Sequence, residues 1–552
     1  MYIKITRNQA GQAYYHLVES YRENGKTRQR TLLSLGRVGE EGRLKNLAEA
    51  LARHEQVVTA LDLANEVSVS DTFILGPLVL LEKMFDTTGI SAVMDRLIEK
   101  HSRFGFDLKK ILFTIIACRF IRPSSKLKIF EKWQHRLYPE MVEGDLALHQ
   151  IYRSLDFLAQ HKDEIEKSLF WHDKDLFNTE VDVVLYDLTT LRFESTKETE
   201  NLRRFGYSKE MRTDCTQIVF GLLLNLDGIP LGFEVYPGNT FEGKTLKDIT
   251  NKMREKFKIR RFIFVADRGL FSSENIAELK KEDGEFIVGM RLGAFRNRKD
   301  EFYDLSRFSW IGVELAVYET THEGDRCIVT WSKVRADRDR KTRDDILAKI
   351  RKKLSLKKVT SKTFVSNRNY QKYLTNLADG ERPALNEKTI AEDSKKDGFF
   401  GIVTNVKDLS AADIVVNYKE LWKIEDAFGE LKGNLKTRPV FHWTDKRIIG
   451  HLTMCFLAFL CEAHMTKLLR EKRSAFKSDA ITNKTIKPRP LTVVEAMDEL
   501  REVRAIPVTI RGKTLWVRTD INGNAATLFQ ALGVRIPPRV LNLEQQNVVA
   551  QN

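Results

Sequence analysis

The chain has 552 residues, 42% of them apolar and 30% charged, which fits a folded globular protein and argues against a disordered one. Lys and Arg number 91 against 76 Asp and Glu, a net charge of +15, so a polyanionic partner is expected, either nucleic acid or an acidic membrane surface. The apolar runs, of which Ile111–Cys118 and Met454–Cys461 are the longest, fall short of the roughly 20 residues of a membrane helix and read as core helix. The N-terminus lacks the apolar stretch of a secretory signal, so neither membrane spanning nor secretion is expected.

At about 150 residues per domain, the length allows three or four domains. Residues 1–43 read as short strands around the turn Glu23-Asn24-Gly25-Lys26, a hairpin signal. Residues 44–175 carry helical spacing, as in Leu78–Phe85, Leu108–Phe120 and Ile151–Phe157, broken by Pro123-Ser124-Ser125. We read this part as a mainly helical DNA-binding or docking region.

Residues 176–298 alternate between periods. Val181–Asp187 predicts a strand, Asp227-Gly228 a hairpin between Thr216–Leu226 and Ile229–Tyr236, and Glu242–Phe257 a helix. Arg261–Asp267 and Phe286–Met290 predict buried strands, making a mixed α/β core. Residues 299–398 interrupt it with strand-like segments and then with Ile346–Tyr373, which holds nine Lys or Arg and no Asp or Glu. Residues 399–470 resume the core with a strand at Phe399–Thr404, one long amphipathic helix over Ile414–Leu435 and an apolar helix from Ile448 to about Leu469. Residues 471–552 form a C-terminal region with a basic strand near Lys513–Arg518, suited to dimerisation or DNA contact.

The five cysteines are scattered without a CxxC pair, so buried thiols in a reducing compartment are expected rather than disulfides or structural zinc. No Walker or Gly-x-Gly-x-x-Gly loop is present, which leaves no support for a nucleotide cofactor. No Gly-x-Ser-x-Gly elbow or HExxH occurs either, and His442 and His451 read as helix-end or core residues.

Two carboxylates stand out. Asp187 follows Val-Val-Leu-Tyr and Asp267 follows Phe-Ile-Phe-Val-Ala, each placed at the carboxyl end of a buried strand, where α/β sheets build ligand sites. If the strands are parallel neighbours, the pair could share Mg²⁺, which takes few protein carboxylates. Otherwise each Asp caps its turn. A third carboxylate, Glu425, lies on a helix whose apolar stripe is Leu421, Ile424, Phe428, Leu431 and Leu435. Beside that stripe run Tyr418, Trp422, Glu425, Gly429 and Lys432.

These residues resemble a known family. Asp187 in Tyr-Asp-Leu-Thr-Thr, Asp267 in Ala-Asp-Arg-Gly and the segment Tyr418–Lys432 look like a DDE-type insertion-sequence transposase. More narrowly they resemble the group marked by Tyr, two residues, Arg, three residues, Glu, six residues, Lys. Tyr418, Glu425 and Lys432 fit that spacing, while Leu421 stands at the Arg position, whose phosphate contact would then be lost or supplied by Lys419 or Lys423. The resemblance covers about residues 181–470.

The resemblance implies an RNase H-like α/β core, interrupted by a β-rich insertion, with Asp187, Asp267 and Glu425 around two Mg²⁺ or Mn²⁺ ions. It implies cleavage of transposon ends and their transfer to target DNA, in a homodimeric complex on double-stranded DNA, in the cytoplasm at the nucleoid. It also gives Tyr418 and Lys432 phosphate contacts, against simple packing. Trp422 either stacks on an unpaired base or packs in the core. Lys352, Lys353, Lys357 and Lys358 are candidates to track phosphates, against a solvated charged face. A metal-dependent nuclease without strand transfer, or a DNA-binding protein without catalysis, are the alternatives.

Overall fold

The structure is a computed structural model. It describes residues 1–39, 67–69, 71–101, 104–142, 145–172, 182–199, 201–207, 212–241, 245–257, 261–267, 273–281, 284–290, 301–322, 324–355, 368–375, 383–472, 491–510 and 513–541, with the single positions Lys45, Glu49, Ala52, Gly269, Leu292 and Phe364. The chain divides into two compact units, one formed by Met1–Phe73, Ala505–Asp520 and Pro537–Asn552, the other by Ile74–Arg504 and Ile521–Ile536.

In the first unit, β1 (Tyr2–Arg7), β2 (Ala13–Glu23) and β3 (Lys26–Arg37) form an antiparallel sheet in the order β1-β2-β3. The turn between β2 and β3 is the one read from sequence. Asn24 and Gly25 both have positive φ, 50° and 74°, which a two-residue hairpin turn requires.

The second unit is built on a nine-stranded sheet. Its strands are β4 (Asp182–Arg192), β5 (Gln217–Leu224), β6 (Pro230–Pro237), β7 (Phe262–Ala266), β8 (Glu285–Met290), β9 (Ser309–Trp310), β10 (Leu315–His322), β11 (Asp325–Ser332) and β12 (Phe399–Thr404). Their order is β9-β10-β11-β12-β8-β7-β4-β5-β6. The central trio β4, β7 and β8 is parallel, and β5, β6 and β12 run antiparallel to their neighbours. β7 is buried along its whole length, which explains its unbroken apolar run.

The helices before the sheet are α1 (Gly76–Thr87), α2 (Ile90–His101), α3 (Leu108–Ile121), α4 (Leu148–Gln160) and α5 (Lys162–His172). Helix α6 (Thr245–Phe257) and helix α7 (Ser273–Lys281) flank β7 in sequence. Three helices of the first group, α1, α3 and α4, pack on the long helix Asp445–Glu471. That helix is long and apolar enough to cross a membrane, but most of its apolar span is buried within the protein, as a core helix is. At Gly450 it meets α4 so closely that a Cβ would stand 2.0 Å from the Leu155 carbonyl oxygen. All five cysteines are buried and free.

Three details differ from the sequence reading. First, β4 does not end at Asp187 but runs on to Arg192, because its antiparallel ladder with β5 continues through Arg192–Gln217 after the parallel ladder with β7 has stopped at Leu185–Val265. Second, the main strands of the insertion form no separate domain sheet: β10 and β11 extend the core sheet through β12, the 22-residue helix α8 (Lys333–Leu354) follows them, and only the short pair Leu374–Thr375 and Ala384–Leu385 makes a two-stranded sheet of its own. Third, the single helix expected over Ile414–Leu435 is two, α9 (Ala411–Lys419) and α10 (Trp422–Lys432). Between them the N–H groups of Leu421, Lys423 and Ile424 bond the carbonyls of Tyr418, Glu420 and Leu421, each three residues back. The turn is tightened to 3₁₀ geometry, without a Gly or Pro to announce it.

Candidate active site

The sheet brings Asp187 and Asp267 to equivalent places. The last registered pair of the parallel β4–β7 ladder is Leu185 with Val265, and each Asp lies two residues beyond it. Two parallel strands side by side, with carboxylates at matched positions, put both acids at one edge of the ladder. Asp187 is partly buried and accepts from the Leu188 N–H at 2.7 Å, while Asp267 is exposed.

Glu425 lies on α10, which packs on β4. Ile424, Ala427, Phe428 and Leu431 are the buried residues of α10, and Glu425 is exposed in its first turn, where the helix dipole favours a carboxylate. Seven residues on, about two turns, Lys432 follows on nearly the same line. Its ammonium donates to Thr189 Oγ1 at 2.5 Å. Thr189 shares a face of β4 with Asp187 by the period of two, so Lys432 stands over the strand that carries the first acid. The segment after α10 is fixed to the same strand by the Val440 N–H, 3.1 Å from the Arg192 carbonyl.

Tyr418, on α9, donates its phenolic hydrogen to Asp267 Oδ1 at 3.3 Å. Its ring packs on Phe400 with centroids 5.1 Å apart. Gly289 in β8 makes room for it: a Cβ there would lie 2.3 Å from the Tyr418 hydroxyl.

The other sequence candidates divide. Trp422 is 47% exposed with the Arg470 guanidinium 5.6 Å from its ring centroid, so the core-packing alternative for it is not met. Lys423 bonds the Leu226 carbonyl and pairs with Glu420 at 2.5 Å, which engages its ammonium within the protein. Lys352 is exposed on α8, whereas the Lys353 ammonium lies 5.0 Å from the Tyr370 centroid and 5.6 Å from that of Phe364. Lys357 and Lys358 lie outside the described residues. His451 is buried with Nε2 3.3 Å from the Thr437 carbonyl, and burial, with Lys126, Arg447 and Arg119 nearby, pushes His442 down to about 3. Both imidazoles are neutral at pH 7, His451 in the core and His442 partly buried beside it. Sequence reasoning gave no role to Thr189 or Gly289. The signal for Gly289 was there, a glycine inside an apolar strand, which marks close approach by another group.

Among the described residues, two groups of three His, Cys, Asp or Glu have ligand atoms within 4.8 Å of one another, and neither contains Asp187, Asp267 or Glu425. One of them, Asp163, Glu166 and Glu234, is already neutralised. Lys162 lies 3.2 Å from both Glu166 Oε2 and Glu234 Oε1, and Lys256 lies 2.5 Å from Asp163 and bonds Glu166. Burial alone would lower the Lys162 pKa, but Glu166, Glu234 and Asp163 more than offset it and raise it. With Lys252 3.0 Å from Glu234, three ammonium groups balance the three carboxylates where a metal would go.

Comparison with known families decides the assignment. Residues 179–461 match the family described as the transposase DDE domain, and residues 3–62 match the IS1634 family transposase N-terminal domain. The chain belongs to the DDE transposases. The domain match begins just before β4 and ends within the long helix, close to the span of about 181–470 read from motifs. The large mixed sheet is thus the RNase H-like core of a DDE domain. No curated protein matches the chain.

Proposed function

We propose that this transposase cleaves the ends of its element and joins them to target DNA by metal-dependent phosphoryl transfer, with Asp187, Asp267 and Glu425 as the catalytic carboxylates. The observation that carries the reading is the matched placement of Asp187 and Asp267, two residues past the same register pair of adjacent parallel strands, with α10 packed on one of them. The donor set is all oxygen, which suits Mg²⁺ or Mn²⁺. Two such ions, when bound, would supply charge neutralisation at the scissile phosphate and lower the pKa of the attacking hydroxyl or water.

The remaining roles fall to the chain itself. Lys432 offers an ammonium beside Asp187 for a phosphate near the cut end. Tyr418 holds Oδ1 of Asp267 through its hydroxyl and so orients that carboxylate. Trp422, exposed on the same helix, offers a ring face for an unpaired base. Leu421 has no phosphate role, and the chain departs there from the Tyr-Arg-Glu-Lys pattern. A homodimer is the assembly proposed, since two ends must be brought together on double-stranded DNA.

The test is a supercoiled donor plasmid carrying the element's ends, incubated with Mg²⁺. Joined products support the proposal. Cut products without joining would make the protein a nuclease, and binding alone would make it a DNA-binding protein that kept the fold.

A further inference from the structure

We propose that His101, His161 and Glu164 form a site for one divalent transition-metal ion, Zn²⁺ or another imidazole-preferring cation, at the meeting point of three helices. His101 is the last residue of α2, His161 follows the end of α4, and Glu164 lies in the first turn of α5. Their ligand atoms all lie within 4.8 Å of one another. Glu164 Oε2 is 3.8 Å from His101 Nε2 and 3.7 Å from His161 Nδ1, and the two imidazole centroids are 4.6 Å apart.

The geometry is close to that of a filled site. Around a tetrahedral Zn²⁺ with ligands at about 2.0–2.1 Å, ligand atoms stand roughly 3.3 Å from each other. The two carboxylate–imidazole separations exceed this by about 0.5 Å, within reach of small side-chain rotations. Lys100 Nζ lies 3.5 Å from Glu164 Oε1, which leaves Oε2 as the oxygen facing both rings. One oxygen held by a neighbour and the other presented to the ligands is the arrangement that orients a monodentate carboxylate.

The ligand chemistry also selects the ion. Two imidazoles and one carboxylate suit Zn²⁺, Co²⁺ or Ni²⁺ far better than Mg²⁺, which separates this site from the all-oxygen set proposed for catalysis. His161 is 8% exposed, so its imidazole is held in place by its surroundings. Side-chain exposures of 32% for His101 and 40% for Glu164 leave the fourth position open to water. A metal held here would fasten the end of α2 to the junction of α4 and α5, far from any role in phosphoryl transfer. Nothing in the DDE chemistry uses these three residues.

The site is tested by titrating Co²⁺ into the full-length protein and following its visible absorption. One equivalent should give the intense bands of four-coordinate Co²⁺, displaced by Zn²⁺, and Zn²⁺ alone should raise Tm. The bands should remain in Asp187→Asn and disappear in His161→Ala and Glu164→Gln. His101→Gln alters a partly exposed side chain, so its fold should persist by circular dichroism while its Co²⁺ affinity falls by about tenfold or more. Absence of the bands in the wild type, or an unchanged Co²⁺ affinity in a folded His101→Gln protein, would overturn the site and leave an ordinary His–Glu ion pair.

Discussion

The phenol of Tyr418 donates to Oδ1 of Asp267 over 3.3 Å, linking helix α9 to the end of strand β7 across 151 positions of sequence. The hydroxyl can reach that carboxylate because Gly289 presents no Cβ on the neighbouring strand and Phe400 supports the ring from the side. A neutral donor on one oxygen fixes the carboxylate's rotation and leaves the other oxygen for a cation. The proposed part of Tyr418 is therefore positioning, with phosphate contact secondary to it.

Tyr418→Phe removes the hydroxyl and keeps the ring on Phe400. The Mg²⁺ concentration for half-maximal cleavage should rise by about tenfold or more, as when a partner of a metal ligand is lost. End binding measured without metal should stay within a few-fold of the wild type. Gly289→Ala should reproduce the shift from the other side, since its Cβ would displace the hydroxyl. An unchanged Mg²⁺ dependence in Tyr418→Phe would remove the residue from this role.

Asp187→Asn, Asp267→Asn and Glu425→Gln should each lower cleavage by about a thousandfold or more, equivalent to about 4 kcal/mol of transition-state stabilisation. DNA binding should survive, because the basic surface is untouched. Ca²⁺ in place of Mg²⁺ should support binding without cutting, since its larger and looser shell misplaces the attacking oxygen. Full activity in one of the three variants would strike that residue from the site.

How far the sequence could be read follows from which interactions are local. Strand and helix periods are local, so β7, β8, β12 and the long helix fell where their patterns placed them. Asp187 and Asp267, proposed as catalytic, stood out for the same reason, each following an apolar run. The continuation of β4 past Asp187 depends on pairing with β5, a tertiary fact. The 3₁₀ turn at Glu420–Leu421 carries no Gly or Pro, so an unbroken stripe from Ile414 to Leu435 read as one helix. Trp422 stayed open between base stacking and core packing, because its line with Glu425 borders the buried stripe; its exposure depends on what packs around α10, which is a tertiary fact. The joining of β10 and β11 to the catalytic sheet could not be seen from either strand, because register with β12 is set 70 residues away.

Leu421→Arg distinguishes packing from a lost phosphate contact. Leu421 was read as part of the buried stripe, but it precedes the first turn of α10 and is only partly buried. The variant should fold, with a stability change within about 1 kcal/mol by chemical denaturation, as at other positions away from the core. DNA affinity at low salt should be equal to or higher than that of the wild type. An insoluble product would return Leu421 to the core.

The two described lysines of the basic segment should behave differently. Lys352 is exposed, so Lys352→Gln should leave Tm unchanged and, where it contacts a phosphate, reduce the log–log salt slope of DNA binding by about 0.9. Lys353 lies over the rings of Tyr370 and Phe364, within the small core formed by Leu347, Ile350, Phe364, Tyr373 and Leu374. Lys353→Gln should therefore cost about 0.5–2 kcal/mol of stability and move the salt slope little. A salt slope that Lys352→Gln does not change, measured from about 50 to 200 mM, assigns Lys352 to a solvated face.

Lys126 sets a pH dependence that has nothing to do with catalysis. It is 5% exposed, and its ammonium donates to the Met454 sulfur at 3.2 Å. Burial, and then the Arg119 charge, lower its pKa to about 7, against smaller opposing contributions from Cys455 and Cys118. In the unfolded chain the same lysine titrates near 10.4, so between about pH 7 and pH 10 the unfolded state binds the extra proton. Stability contributed by this group therefore rises with pH across that window and is lowest below it, where the native state must carry the buried charge. Lys126→Met removes the term. It should stabilise the protein at pH 7 by on the order of 1–3 kcal/mol, the cost of an inadequately bonded buried polar group. The gain should shrink as pH approaches 10, so the denaturation midpoints of the two proteins converge there. Midpoints that keep a constant separation from pH 7 to pH 10 would show that Lys126 does not lose its proton in the folded protein.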